Sequence, residues 1–204
     1  MYIKKHFRIL TCFLLIILSA ALIISCSQAP KDAVTDEGSL TVFTETETGT
    51  ETEGPALINE YDEIIINIKE IIAVPESDEE ELINIISFAD SEKIINLLDY
   101  TNMTAQIGTG IVPAGTYSQI RIVLYGEGNS IKPAESDEAE ALSIPSGEQT
   151  GIKLVLSEPL TIEEGSNWSM TISWDFTDGS HITQPGGSYK MTPVVNVILK
   201  PAAE

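Results

Sequence analysis

The residues able to do chemistry are few. Two histidines and two cysteines occur in 204 residues. His181 follows Asp178-Gly-Ser, and Asp175 lies three residues before Asp178. Wrapped around a turn, that spacing could bring two carboxylates and one imidazole onto a metal ion. A single nitrogen donor is a poor set for a transition metal. The acidic runs lack the D-x-[DN]-x-[DN]-G spacing that wraps calcium. The sequence therefore predicts no metal and no cofactor. Nucleophilic catalysis has no Gly-x-Ser-x-Gly elbow, and a triad would need an orienting group and an oxyanion hole. A glycosidase pair could be drawn from 31 acidic residues, but a small sandwich offers no deep cleft for it. No catalytic residue is assigned, and the chain is expected not to be an enzyme.

The strongest chemical signal is a thiol. Lys4, Lys5 and Arg8 make a basic start, and Ile9 to Ile24 form a sixteen-residue apolar run broken by Thr11 and Ser19. That is short for a membrane span and suits a signal peptide. The run ends in Ile23-Ile24-Ser25-Cys26, which resembles a bacterial lipobox. Ser25 is small enough for a peptidase to reach the Ser25–Cys26 bond. The Cys26 thiol takes a diacylglycerol and becomes the new N-terminus, so the partner at this end is a membrane. Two or three acyl chains (palmitate, for example) exceed the marginal binding of one. Ser27, rather than Asp, follows the cysteine, which favours the outer membrane in a Gram-negative cell. The body of the chain is expected outside the cytoplasm.

Processing changes the charge. The whole chain has 11 Lys+Arg against 31 Asp+Glu, a formal net charge of −20. Residues 1–25 hold three bases and no acid, so eight bases and 31 acids remain, a net of −23. No basic face can be built from that, which excludes nucleic acid as a partner. Cys12 and His6 leave with the leader. Cys26 is acylated, so the domain must hold together without disulfides.

Behind these residues stand the elements that position them. Residues 27–37 have no apolar period and read as a flexible tether of about 20 Å. Three acidic stretches, Thr44–Gly54, Glu76–Glu81 and Glu135–Glu140, read as solvated loops. The rest reads as strands. Trp168, Met170, Ile172, Trp174 and Phe176 alternate with polar residues at period two. Similar alternation marks Ile64–Ile68, Ile120–Leu124 and Ile152–Leu156. A last strand carries Tyr189, Met191, Val195, Val197 and Leu199, interrupted by Pro193 at an edge or bulge. Shorter candidates are Leu40–Phe43, Leu82–Phe88, Ile94–Leu98 and Leu142–Ile144, and a helical turn is expected near Asp99–Ile107. This pattern predicts an all-β, antiparallel β-sandwich with eight or nine strands over residues 38–204, and Pro113-Ala-Gly-Thr-Tyr117 resembles the corner of Greek-key, immunoglobulin- or transthyretin-like β-domains.

Aromatic residues supply two further expectations. In Val112-Pro-Ala-Gly-Thr-Tyr117, a Tyr just after Gly at a strand start suits a tyrosine corner, with its hydroxyl on the backbone. A sugar-binding platform would need exposed rings. Parity sends Trp168 and Trp174 to the core face, which leaves Tyr125 and Tyr100 as candidates.

The stretch from Gly38 to Leu199 resembles the bacterial and archaeal family called domain of unknown function 4382. Five blocks carry the likeness: Tyr61-Asp-Glu-Ile-Ile-Ile-Asn-Ile-Lys-Glu-Ile71, Ile95-Asn-Leu-Leu-Asp-Tyr-Thr-Asn102, Pro113-Ala-Gly-Thr-Tyr-Ser-Gln-Ile-Arg-Ile-Val-Leu124, Ile144-Pro-Ser-Gly-Glu-Gln-Thr-Gly-Ile-Lys-Leu154 and Gly187–Val197. The chain departs at its first hairpin, where the Thr/Glu run replaces a Thr-Asp-Ala-Pro-like turn. The resemblance implies an extracytoplasmic β-sandwich, often on a lipoprotein, and brings no catalytic residues. The expected function is a non-catalytic interaction or structural module of the cell envelope, contacting an envelope protein or glycan. Carbohydrate or peptidoglycan binding is the alternative.

Overall fold

The computed structural model describes residues 36–48, 57–77, 79–177 and 181–202. The segments expected as signal peptide, Ser25–Cys26 cleavage and lipidation site, and tether up to residue 35 lie outside the described residues, as does Asp178. Within them the chain is all-β, with two sheets closing on one core.

The first sheet has four strands. In it β1 (Glu37–Glu47) lies between β10 (Asn167–Asp175) and β5 (Ala105–Pro113), with β13 (Val194–Pro201) outside β10. The second is built on a fifteen-residue strand, β2 (Tyr61–Pro75). Along one side β2 pairs with β6 (Gly115–Leu124) and β7 (Ser130–Pro133); along the other it pairs with β3 (Ile83–Ser87) and β4 (Lys93–Asn96). Outward from β6 runs β9 (Ile152–Ile162). Outward from β7 run β8 (Glu140–Ser143), β12 (Tyr189–Met191) and β11 (Ile182–Thr183).

Alternation explains the core. Leu40 and Val42 of β1, Ile64, Ile66 and Ile68 of β2, Ile120 and Ile122 of β6, and Met170, Ile172 and Trp174 of β10 are all buried. Successive side chains of a strand point to opposite faces, so each apolar set enters the core together. At about 25 cal/mol per Å² of apolar surface, each such side chain contributes on the order of 1.5–3 kcal/mol.

Four details differ from the sequence reading. The described residues form thirteen strands rather than eight or nine. Two pairs are parallel, β1 with β10 and β8 with β12, so both sheets are mixed. Thr44–Glu47 is not loop: it completes β1. Its threonines are β-branched and point inward, and the buried hydroxyls are satisfied. Thr46 Oγ1 donates to the Leu97 carbonyl at 2.6 Å, and Thr44 Oγ1 accepts from Trp174 Nε1 at 3.1 Å. The helical turn expected at Asp99–Ile107 is a 3-10 turn at Leu97–Tyr100, and Ala105–Ile107 begins β5.

Two corners carry the chain between sheets. Ala114 separates β5 of the first sheet from β6 of the second. The expected last strand is split at Thr192-Pro193 into β12 and β13, which belong to different sheets. Proline has no N–H for a ladder, so it sits where the ladder must end. Glycine has its own place at Gly110 of β5. A Cβ there would collide with the Ile85 carbonyl of β3, so only glycine permits that approach.

Candidate functional site

Tyr117 is buried, and its hydroxyl donates to the Pro113 carbonyl at 2.8 Å. The bond spans the corner where β5 passes into β6. Burial raises the pKa of the Tyr117 phenol, with a smaller contribution from Glu80. Trp174 is buried and Trp168 is half-buried against the core. Tyr125 is half-buried, with its hydroxyl tied to the Phe88 carbonyl at 3.2 Å, and Tyr100 packs against the core. Neither Tyr125 nor Tyr100 lines the clefts described below.

The Asp175 carboxylate accepts from the backbone N–H of Thr177 at 2.9 Å and from its hydroxyl at 2.6 Å. The His181 carbonyl accepts from the N–H of Thr192. Among the described residues, no three His, Cys, Asp or Glu side chains come together as a metal site. Also among them, no helix is long and apolar enough to cross a membrane.

The geometry points elsewhere, to the end of the second sheet. Tyr61 opens β2 and Tyr189 opens β12. Strands β7 and β8 lie between these two in the sheet order. The rings meet edge to face, with centroids 6.2 Å apart and planes at 85°. This is a favoured aromatic geometry that fixes both orientations. Tyr189 lines two neighbouring clefts. One, of about 460 Å³, has Tyr61, Pro133 and Ala134 as its apolar wall and Asn59, Glu60 and Glu135 as polar groups. The other, of about 710 Å³, is bounded by the Gly126–Asn129 turn, by β8 and by Ser188, with Glu127, Glu140 and Glu148 on its lining. No Lys, Arg or His lines either cleft.

Burial, then Glu60, then Tyr189, raise the pKa of the Tyr61 phenol. Its hydroxyl stays protonated at neutral pH and serves as donor as well as acceptor. The turn below the larger cleft is held by a small network. Asn129 Oδ1 accepts from the Asn67 N–H at 2.8 Å, and Asn129 Nδ2 donates to the Tyr125 carbonyl at 2.7 Å. Tyr125 N–H in turn donates to the Asn67 carbonyl at 2.8 Å. Gly128 has φ +82°, and a Cβ there would press on Asn67 Nδ2.

Sequence reasoning missed Tyr61 and Tyr189. In the sequence Tyr189 only shares a strand with Met191, Val195, Val197 and Leu199, and Tyr61 only opens a family block. The available signal was their position: each is the first residue of its strand, at a sheet rim where a ring is half-covered.

Among comparisons with known proteins, the family model described as Domain of unknown function (DUF4382) matches residues 52–193. No curated protein and no solved structure matches the chain.

Proposed function

We propose that this chain, which belongs to the family described as Domain of unknown function (DUF4382), is a membrane-anchored bacterial lipoprotein whose β-sandwich acts without catalysis as an interaction or structural module of the cell envelope. The observation that carries the anchor is Ser25-Cys26 at the end of a sixteen-residue apolar run behind three bases. The first described strand begins at Glu37, eleven residues beyond Cys26. A random-coil chain of that length spans about 20 Å, enough to lift a domain off a bilayer. The acidic surface supports a binding role by keeping the domain soluble and selecting partners by charge.

Fractionation of cells tests this reading. The wild-type chain should sediment with membranes and incorporate labelled palmitate. Cys26→Ala should incorporate none and appear in the soluble extracytoplasmic fraction with its β-rich circular dichroism intact. Persistent membrane association of Cys26→Ala overturns the lipoprotein reading.

A further inference from the structure

The two clefts that share Tyr189 form one recognition surface, and its lining selects a chemical class. Each cleft exceeds the lower size of an ordinary ligand pocket, roughly 300 Å³. Tyr189 stands between them, so a ligand occupying both must cross its ring.

Three features of the lining narrow the occupant. The first is a mixture of donors and acceptors. Hydroxyls come from Tyr61, Tyr189, Ser143 and Ser188, an amide from Asn59, and carboxylates from both clefts. A bare cation would use the carboxylates and leave the hydroxyls idle. A polyhydroxylated ligand uses both, because each of its hydroxyls donates one bond and accepts others. The second is the Tyr pair. An aromatic ring offers apolar area beside a polar tip, which suits a molecule with C–H faces and an O–H rim. The third is charge. Five glutamates line the clefts and no base answers them. A carboxylate, sulfate or phosphate of a ligand placed there would set like charges together, which disfavours anionic ligands.

We propose that the Tyr61–Tyr189 clefts bind an oligosaccharide that is neutral or amine-bearing, with consecutive sugar units on either side of Tyr189, and that they exclude uronate-containing chains. This rests on the reading of the domain as an interaction module. It does not rest on the lipid anchor, so a Cys26→Ala chain should bind the same sugar with the same affinity. Failure of the anchor and failure of the clefts are thus read separately.

The test is isothermal titration of the full chain in detergent with three sugar probes, the trimer of N-acetylglucosamine, the trimer of glucosamine and trigalacturonate, and with hexa-arginine as a basic peptide probe. At least one of the first two should bind, and trigalacturonate should not. The corresponding monosaccharide should bind at least about tenfold more weakly, because it fills only one cleft. Tyr189→Ala should weaken trimer binding by about tenfold or more. Should Tyr189→Ala fail to fold, Ser188→Trp tests the same point, because Ser188 is exposed and the indole fills the larger cleft. Its melting temperature should match wild type and its trimer binding should be lost.

The proposal is overturned by any of four results. These are binding of none of the probes, trigalacturonate binding as tightly as the better trimer, wild-type affinity in a folded Tyr189→Ala or Ser188→Trp, or hexa-arginine binding at the clefts while both trimers do not. The last result would make the occupant a basic protein segment.

Discussion

The indole N–H of Trp174 donates to the hydroxyl of Thr44, 3.1 Å away, and both side chains are buried. The two residues stand on neighbouring parallel strands, β10 and β1, and are 130 positions apart in the chain. A buried indole donor without a partner would cost the full desolvation of that group. The Thr/Glu run therefore supplies core chemistry from its threonines.

Thr44→Val keeps the shape of the side chain and removes the acceptor. It should lower stability by about 1–3 kcal/mol in urea denaturation. A Thr44→Ser variant should recover most of that loss, because the hydroxyl returns. Equal midpoints for Thr44→Val and wild type would remove the bond from the stability account.

Tyr117→Phe deletes the hydroxyl that reaches Pro113. The ring stays in the core, and the expected loss is about 0.5–1.5 kcal/mol, the usual net worth of such a bond. A thermal melt reads it directly. An unchanged melting temperature would leave the β5–β6 corner without a stabilising role for Tyr117.

Alkaline pH should destabilise the domain. The phenols of Tyr61 and Tyr117 have pKa values raised above 10.0, mainly by burial. The folded state therefore keeps protons that the unfolded chain releases. Stability from this source is complete below about pH 10 and is lost as pH rises through the raised values. Lys132, held protonated by its hydrogen bond and charge pair with Asp62, works in the same direction at an exposed site and adds little. Urea midpoints at about pH 9 and pH 11 should fall in wild type, and fall less in Tyr117→Phe. A flat or rising midpoint contradicts this.

Asn129 and Asn67 should respond unequally to alanine. Asn129→Ala strips partners from the Asn67 N–H and the Tyr125 carbonyl, which should cost about 1–3 kcal/mol for each group left unpaired. The Asn67 side chain makes one long bond, Nδ2 to the Glu127 carbonyl at 3.4 Å, and its buried Oδ1 has no partner among the described residues. Asn67→Ala should therefore cost less than Asn129→Ala, as measured by hydrogen exchange at Tyr125. The opposite order would show that the Asn67 side chain anchors the turn.

The legibility of the fold followed the strength of period two. β10 announced itself because Trp168, Met170, Ile172, Trp174 and Phe176 alternate without a break, and β2 because Ile64, Ile66 and Ile68 do so before Glu70 shifts the register. β5 stayed hidden because Gly108 and Gly110 interrupt its pattern, and Gly110 is there for the Ile85 carbonyl, a tertiary fact. The end of β1 stayed hidden because charge at Glu45 and Glu47 outweighed the inward Thr44 and Thr46 that alternate with them. The clefts were the least legible feature. Tyr61 and Tyr189 meet only because β7, β8 and β12 add to β2 in one order, and no local pattern encodes that order.

The placement of β1 also sets a waiting time. β1 is made first, yet its neighbours β5 and β10 begin at Ala105 and Asn167. At about 5–20 residues per second of synthesis, its parallel partner follows some 6–25 s later. β5 can cover one edge of β1 earlier, but the edge that β10 takes, on a strand with Leu40, Val42 and Phe43, stays open to wrong pairing throughout that interval. The acidic residues at its far end, Glu45 and Glu47, carry the kind of charge that disfavours pairing between like strands.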